Sequence, residues 1–283
     1  MSDWSSWTGR EERRTDRLDP NLAARWLATF DLPERRAGAM PQGIHLALCT
    51  PDAANATLGE DGHPARSDEP GSFLPPLPLP RRMWAASKIR FHAPIAIEAT
   101  IERVSRIASI TPKSGSSGDM VFVELAHETS ADGELAVSET QTLVYREAAA
   151  SNAPLSPPEA EEARFDPSDW EDHHAIVPDP RLLFRYSALT FNTHRIHYDW
   201  PYARHVERYR GLVVHGPLMA SLLTQIAQAK LGDNGLTSFA FRALSPAIAG
   251  EPLHLVLRKD EEAYTLGAFA EDGRQIISAS ATA

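Results

Sequence analysis

Positions 191 to 200 read FNTHRIHYDW, and positions 213 to 223 read VVHGPLMASLL. The first stretch gathers two histidines, an asparagine, an arginine and an aspartate. Each of these side chains costs free energy to bury without a partner, so a plain core segment would not collect them. His197 can move a proton near neutral pH. Asn192, five residues earlier, can donate or accept a hydrogen bond that fixes a water or a substrate. Arg195 can grip a carboxylate or phosphate through two N–H groups. Asp199 can orient a histidine, serve as a second base, or cap the helix that WPYARHVERY suggests. His194, His197 and His215 could also bind zinc, because His-x-x-His is a permissible ligand spacing. No carboxylate or cysteine completes a recognisable zinc set, and the expectation is no metal.

Gly216 and Pro217 open the second stretch. In GPLMASLLTQIAQAKLGDNG, Leu218, Leu222 and Ile226 keep i, i+4, i+8 spacing, and Met219, Leu223 and Ala227 form an adjacent apolar row. Two rows make the wide buried face of a helix wrapped by a curved sheet. The first N–H groups of such a helix lack intrahelical partners and carry partial positive charge. Pro217 has no N–H, which leaves the Gly216 N–H to meet an anion or a developing oxyanion. The plain alternative is an ordinary Gly-Pro helix start.

Composition narrows the setting. Of 283 residues, 42% are hydrophobic and 23% charged, as in a soluble globular protein. One cysteine, Cys49, excludes an internal disulfide framework and fits a reducing, cytoplasmic compartment. There is no apolar run of ~18 residues, so no membrane span is expected. MSDWSSWTGREERRTDR has no apolar core, so no secretory signal is expected there. A net charge of −10 argues against nucleic-acid partners. An anionic small ligand would need a locally basic pocket.

The chain divides near its middle. EAAASNAPLSPPEAEEARFDPSD, 147 to 169, reads as a surface linker. The division is residues 1–148, a linker at 149–180, and 181–283. In LDPNLAARWLATFDLP, Asp19 caps a short helix, Pro20 sits in its first turn and Pro33 ends it. Residues 51–80 are loop-like. MVFVELAHE places Val121, Val123 and Leu125 on one strand face and Phe122, Glu124 and Ala126 on the other. RFHAP at 90 and RALSP at 242 each set an arginine four residues before a proline. DGELAVSET at 132 and DGRQIISAS at 272 each set Asp-Gly before a strand. The shared order suggests duplication.

FRYSALTFNTHRIHYDWPYA followed by GLVVHGPLMASLL resembles the MaoC-like, type 2 hydroxyacyl-thioester dehydratases. EDGHPARSDEPGSFLPPLPLPRRMWA and KSGSSGDMVFVELAHE are similar to the branch of 3-methylfumaryl-CoA (mesaconyl-C4-CoA) and itaconyl-CoA hydratases. The resemblance covers nearly the whole chain. It implies an α+β double hot-dog: two repeats of a long helix wrapped by a curved antiparallel sheet, with the N-terminal half inactive. (R)-specific hydratases of this superfamily typically show Gly-Asp-x-Asn-Pro-x-His. With the last histidine on His197, Asn192 falls at the catalytic aspartate, His194 at the asparagine and Arg195 at the proline. The aspartate–histidine dyad is therefore not intact. His197 is left as the acid/base, with His194 as the other histidine able to share it, and Asn192 as a positioning group. Gly216 matches the glycine whose N–H polarises the thioester carbonyl.

The implied partner is a small acyl-CoA substrate, with no cofactor beyond the coenzyme A it carries. The expected activity is hydration of a branched C5 dicarboxyl-CoA, mesaconyl-C4-CoA or itaconyl-CoA, to citramalyl-CoA. Its carboxylate would need a cation, for which Arg195, Arg81 and Arg82 are candidates. His215 and Asp199 complete the expected substrate-binding set, and a homodimer is compatible with the sequence. The alternatives are a 3-hydroxyacyl-thioester dehydratase of fatty-acid synthesis and a non-catalytic acyl-CoA-binding module.

Overall fold

The computed structural model describes residues 4–69, 71–115, 118–159 and 162–283. Ten antiparallel strands form one sheet. The N-terminal half supplies β1 (Glu11–Arg17), β2 (Arg81–Phe91), β3 (Thr100–Gly115), β4 (Gly118–Ala131) and β5 (Glu134–Arg146). The C-terminal half supplies β6 (Asp172–Ile176), β7 (Ser238–Ala243), β8 (Leu253–Asp260), β9 (Ala263–Ala270) and β10 (Gln275–Thr282). From rim to centre the orders are β1-β3-β4-β5-β2 and β6-β8-β9-β10-β7. These are the same order twice. The halves join where β2 pairs with β7, from Ala86 opposite Arg242 to Arg90 opposite Ser238. The two Asp-Gly pairs occupy equivalent turns, β4–β5 and β9–β10, and Gly133 and Gly273 both take positive φ.

Helices follow the same repeat in part. α1 (Pro20–Thr29) follows β1, and α2 (Pro180–Thr190) follows β6. Asp19 accepts from the N–H groups of Asn21 and Leu22, and Asp179 accepts from Leu182, each just before an N-terminal proline. Two further helices have no N-terminal counterpart: α3 (Trp200–His205) and α4 (Gly216–Leu231). α4 is the central helix. Leu218, Met219, Leu223, Ile226 and Ala227 are buried, with Leu222 partly so. In the N-terminal half the described residues of the corresponding chain, between α1 and β2, form only short 3-10 turns at Ile44–Ala47 and Asn55–Thr57. This is the double hot-dog with one of its two long helices replaced by loop.

On β4, Val121, Val123 and Leu125 are buried while Glu124 is exposed, as the alternation requires. They join Trp7, Leu77, Leu79 and Tyr145 in a second apolar cluster, so the proline-rich loop lies on this part of the sheet. The expected linker at 149–180 needs correction. Its residues 172–176 are β6, in register with β8 from Asp172 opposite Leu257 to Ile176 opposite Leu253. An edge strand pairs on one side only, and its exposed residues hid it among loop-like sequence. Residues 160 and 161 of that stretch lie outside the described residues.

Candidate active site

The sheet and α4 enclose a cavity of about 1040 Å³. Both halves line it. From the C-terminal half come Asn192, His194, His197, His215 and Gly216. From the N-terminal half come Arg82, Trp84, Arg103, His127 and Glu139 on strands, and Gly62 and His63 on the 51–80 loop. Among the described residues seven arginines face it against four glutamates, so a chain of net charge −10 does carry a basic pocket.

The motif 191–197 is a turn between helices. Phe191 ends α2 in the left-handed region, at φ 48°. Asn192 Oδ1 then accepts from the His194 N–H at 2.9 Å, which closes the turn. His197 is buried, and its Nδ1 donates to the Val213 carbonyl at 2.7 Å. That bond fixes the neutral tautomer and leaves Nε2 as an acceptor. Burial holds its pKa at about 4, well below the ordinary 6.5. His215 stacks on His197 with ring centroids 3.5 Å apart and shares a hydrogen bond with Ser187 Oγ at 2.9 Å. Burial keeps His215 neutral as well.

Gly216 is the first residue of α4, and its N–H meets no acceptor among the described residues. The Trp84 carbonyl of the N-terminal half comes within 3.7 Å of where a Gly216 Cβ would lie, an ordinary van der Waals contact that brings β2 beside the helix start. A free helix-start N–H and a neutral histidine facing one cavity are parts that hydration of a thioester-conjugated double bond uses.

The three arginines differ. Arg195 pairs with Asp199 at 2.7 Å, donates to the Glu60 carbonyl, and covers the Tyr202 ring at 4.1 Å. Asp199 in turn caps α3 through the Tyr202 N–H. Neither residue lines the cavity. The pair clamps the motif to the loop, outside the cavity in which Arg195 and Asp199 are expected to meet substrate. Arg81 lines the cavity but is tied to the buried Glu207 at 2.5 Å. Arg82 has no side-chain hydrogen bond or ion pair among the described residues. Its charge reaches Asp61, His63 and His194.

The residues that the sequence reading missed are Asp61 and His63. Asp61 Oδ2 meets His63 Nδ1 at 2.8 Å, and its Oδ1 accepts the His63 backbone N–H at 3.0 Å. The His63 ring packs on His194 with centroids 4.2 Å apart. GEDGHPA carries a detectable signal, an aspartate two residues before a histidine around a glycine. It sits in a Pro- and Gly-rich stretch 130 residues from the motif, and only the fold unites them.

The three-histidine zinc set is not assembled, because His197 and His215 lie face to face with one nitrogen of each already bonded. Among the described residues the donors that do converge are Asp61, His63 and His194, with ligand atoms within 4.8 Å. Asp61 is already bonded to His63, and the charge of Arg82 opposes a cation there.

Residues 43–249 match the family model of hydroxyacyl-thioester dehydratase type 2. The mesaconyl-C(4)-CoA hydratase of Chloroflexus aurantiacus is 40% identical over 282 residues, covering 99% of this chain and 97% of that protein. The structure of HtdX from Mycobacterium tuberculosis superposes with TM-score 0.65 at 15% identity, covering 96% and 99% of the two chains. A second Mycobacterium tuberculosis protein, described as a double hot-dog, gives TM-score 0.54 at 14% identity over 97% and 96%.

Proposed function

The chain belongs to the hydroxyacyl-thioester dehydratase type 2 family and is a hydro-lyase acting on acyl thioesters, and from that premise we propose that its substrate is mesaconyl-C4-CoA, hydrated to citramalyl-CoA. The observation that carries this reading is that one cavity holds three uncommitted groups: His197 Nε2, the Gly216 N–H and the Arg82 guanidinium. In mesaconyl-C4-CoA the double bond is conjugated to the thioester, and the carbon beta to it bears a methyl and a carboxylate. His197 Nε2 takes a proton from water as the water oxygen bonds to that beta carbon. The π electrons move toward the thioester oxygen, where the Gly216 N–H holds the charge. The alpha carbon then receives the proton from His197, and the imidazole is neutral again.

Arg82 pairs with the substrate carboxylate, which is costly to desolvate alone. A fatty-acyl chain has no group for it. Itaconyl-CoA carries the same carboxylate but has its double bond outside conjugation with the thioester, and ranks second. The reaction draws on no metal or cofactor beyond coenzyme A. The experiment is a turnover panel of the purified protein with mesaconyl-C4-CoA, itaconyl-CoA and crotonyl-CoA. Faster turnover of crotonyl-CoA than of both dicarboxyl esters overturns the assignment in favour of a fatty-acyl substrate.

A further inference from the structure

With His197 on the histidine of the superfamily motif it resembles, Asn192 stands where that motif has its catalytic aspartate. Its side-chain oxygen is occupied by the backbone N–H of His194, and the amide cannot replace a carboxylate charge. A carboxylate-backed imidazole is nevertheless present in the same cavity, brought from the other half of the chain.

The loop that carries it is built onto the motif. Thr193 Oγ1 donates to the Gly62 carbonyl at 2.5 Å, the Arg195 N–H donates to the Asp61 carbonyl at 2.9 Å, and Arg195 also donates to the Glu60 carbonyl at 3.0 Å. Gly62 has φ +86°, and a Cβ on it would lie 1.9 Å from the Thr193 carbonyl oxygen. A loop that only crossed the surface would not need a glycine at this contact. The result is that Asp61 and His63 are held against residues 193–195 by the backbone itself.

We propose that Asp61 and His63 are a water-positioning pair of the active site: His63 Nε2 accepts one hydrogen of the water whose other proton passes to His197. This rests on the hydration reading above. Asp61 takes the hydrogen of His63 Nδ1, so Nε2 carries the lone pair. Val213 does the same for His197. Two imidazoles line the same cavity, each with its donor turned away, and a water has two hydrogens to give to two such acceptors. The balance of the reaction is unchanged. His63 accepts a hydrogen bond only, while the O–H bond toward His197 breaks, oxygen bonds to the beta carbon and the proton returns to the alpha carbon.

The charges around His63 agree with an acceptor. Burial, Arg82 and Arg66 hold its pKa at about 4 against the pull of Asp61, and the neighbouring His194 and His197 are neutral too. Arg82 stands near both this pair and the proposed carboxylate site. Water and substrate are therefore held by one wall of the N-terminal half.

The test compares the parent with His63→Gln and Asp61→Asn. Asp61→Asn presents an amide in place of the carboxylate and favours the His63 tautomer with hydrogen on Nε2, which turns the acceptor into a donor. Each variant is assayed for kcat and KM with mesaconyl-C4-CoA across pH, with thermal midpoints measured alongside. The expected result is kcat lowered about 10²-fold in both, with KM and the thermal midpoint little changed. The parent must keep His63 and His197 both unprotonated, so its kcat/KM falls on the acid side with a two-proton slope. In His63→Gln that slope loses one proton, which a merely structural histidine would not cause.

Parental kcat in Asp61→Asn and in His63→Gln overturns the inference and leaves the hydratase reading standing. An unchanged acid slope in an active His63→Gln enzyme does the same. Loss of parent activity to a chelator, restored by zinc, overturns it in favour of a metal held by Asp61, His63 and His194. A parent that hydrates none of the esters removes the hydratase reading itself.

Discussion

In the C-terminal half, strands β7 to β10 pack against α4, and the helix start presents the Gly216 N–H. In the N-terminal half the same strand order has no long helix to cover it. Arg103, His127, Glu139 and Gln141 from β3, β4 and β5 line open volume instead. Burial drives Glu139 above the carboxylate range, while Ser87 donates to it at 2.6 Å. The two equivalent half-sheets thus have separate tasks. The C-terminal one carries the helix and its dipole. The N-terminal one leaves room, and sets Arg82 and the Asp61–His63 loop against the first. An N-terminal half without a motif of its own is still a wall of the site.

Substitutions in the two halves sharpen that division. His197→Ala has the largest expected effect, a fall in kcat of about 10²-fold or more in a protein that still folds. Near-parental turnover would shift the proton work out of the C-terminal half. Gly62→Ala should come next, because the Cβ meets Thr193 backbone at 1.9 Å and the backbone is left-handed. A lower thermal midpoint together with lost turnover is expected, and parental values for both would show that the loop need not dock.

Arg82→Gln should lower kcat/KM for mesaconyl-C4-CoA about 10-fold or more relative to crotonyl-CoA, since a buried carboxylate loses its cation. Arg195→Gln should instead affect all substrates alike, through the Asp199 and Glu60 contacts it breaks. A selective loss in Arg195→Gln and none in Arg82→Gln would move the clamp back to the C-terminal motif. Asn192→Ala, which removes one turn-closing hydrogen bond, should cost about 1 kcal/mol of stability and a smaller part of turnover.

Stability itself should also depend on pH. His45 and His197 are buried and His63 and His127 partly buried, and desolvation keeps all four neutral, with pKa values of about 3 for His45 and about 4 for His63, His127 and His197 against the ordinary 6.5. Between these values the unfolded chain binds more protons than the native one, so stability is full above 6.5 and declines as pH falls toward 4. Urea midpoints measured over that range should fall with pH, and a flat profile would contradict the neutral cluster.

Legible in sequence alone are the repeat, α1 with its Asp19 cap, the two-row face of α4, the alternation of β4 and the motif that holds His194, His197 and Gly216. These are local: spacing of three to four or of two residues, capping chemistry and a helix start are written in adjacent positions. β6 escaped because an edge strand with exposed residues lacks the alternation that marks a half-buried one. The Asp-Pro pair at 179–180 repeats that at 19–20 and could have marked α2. Which arginine is free is visible only in the folded chain, because Arg195 and Arg82 are equally cationic in sequence and differ in whether Asp199 stands beside them. The fold also decides that Asn192 closes a turn and that a carboxylate-backed imidazole at 61–63 reaches His194. Contacts across 130 residues follow from how two half-sheets join at β2 and β7 and which backbone a glycine lets approach, and no window of sequence contains both sides.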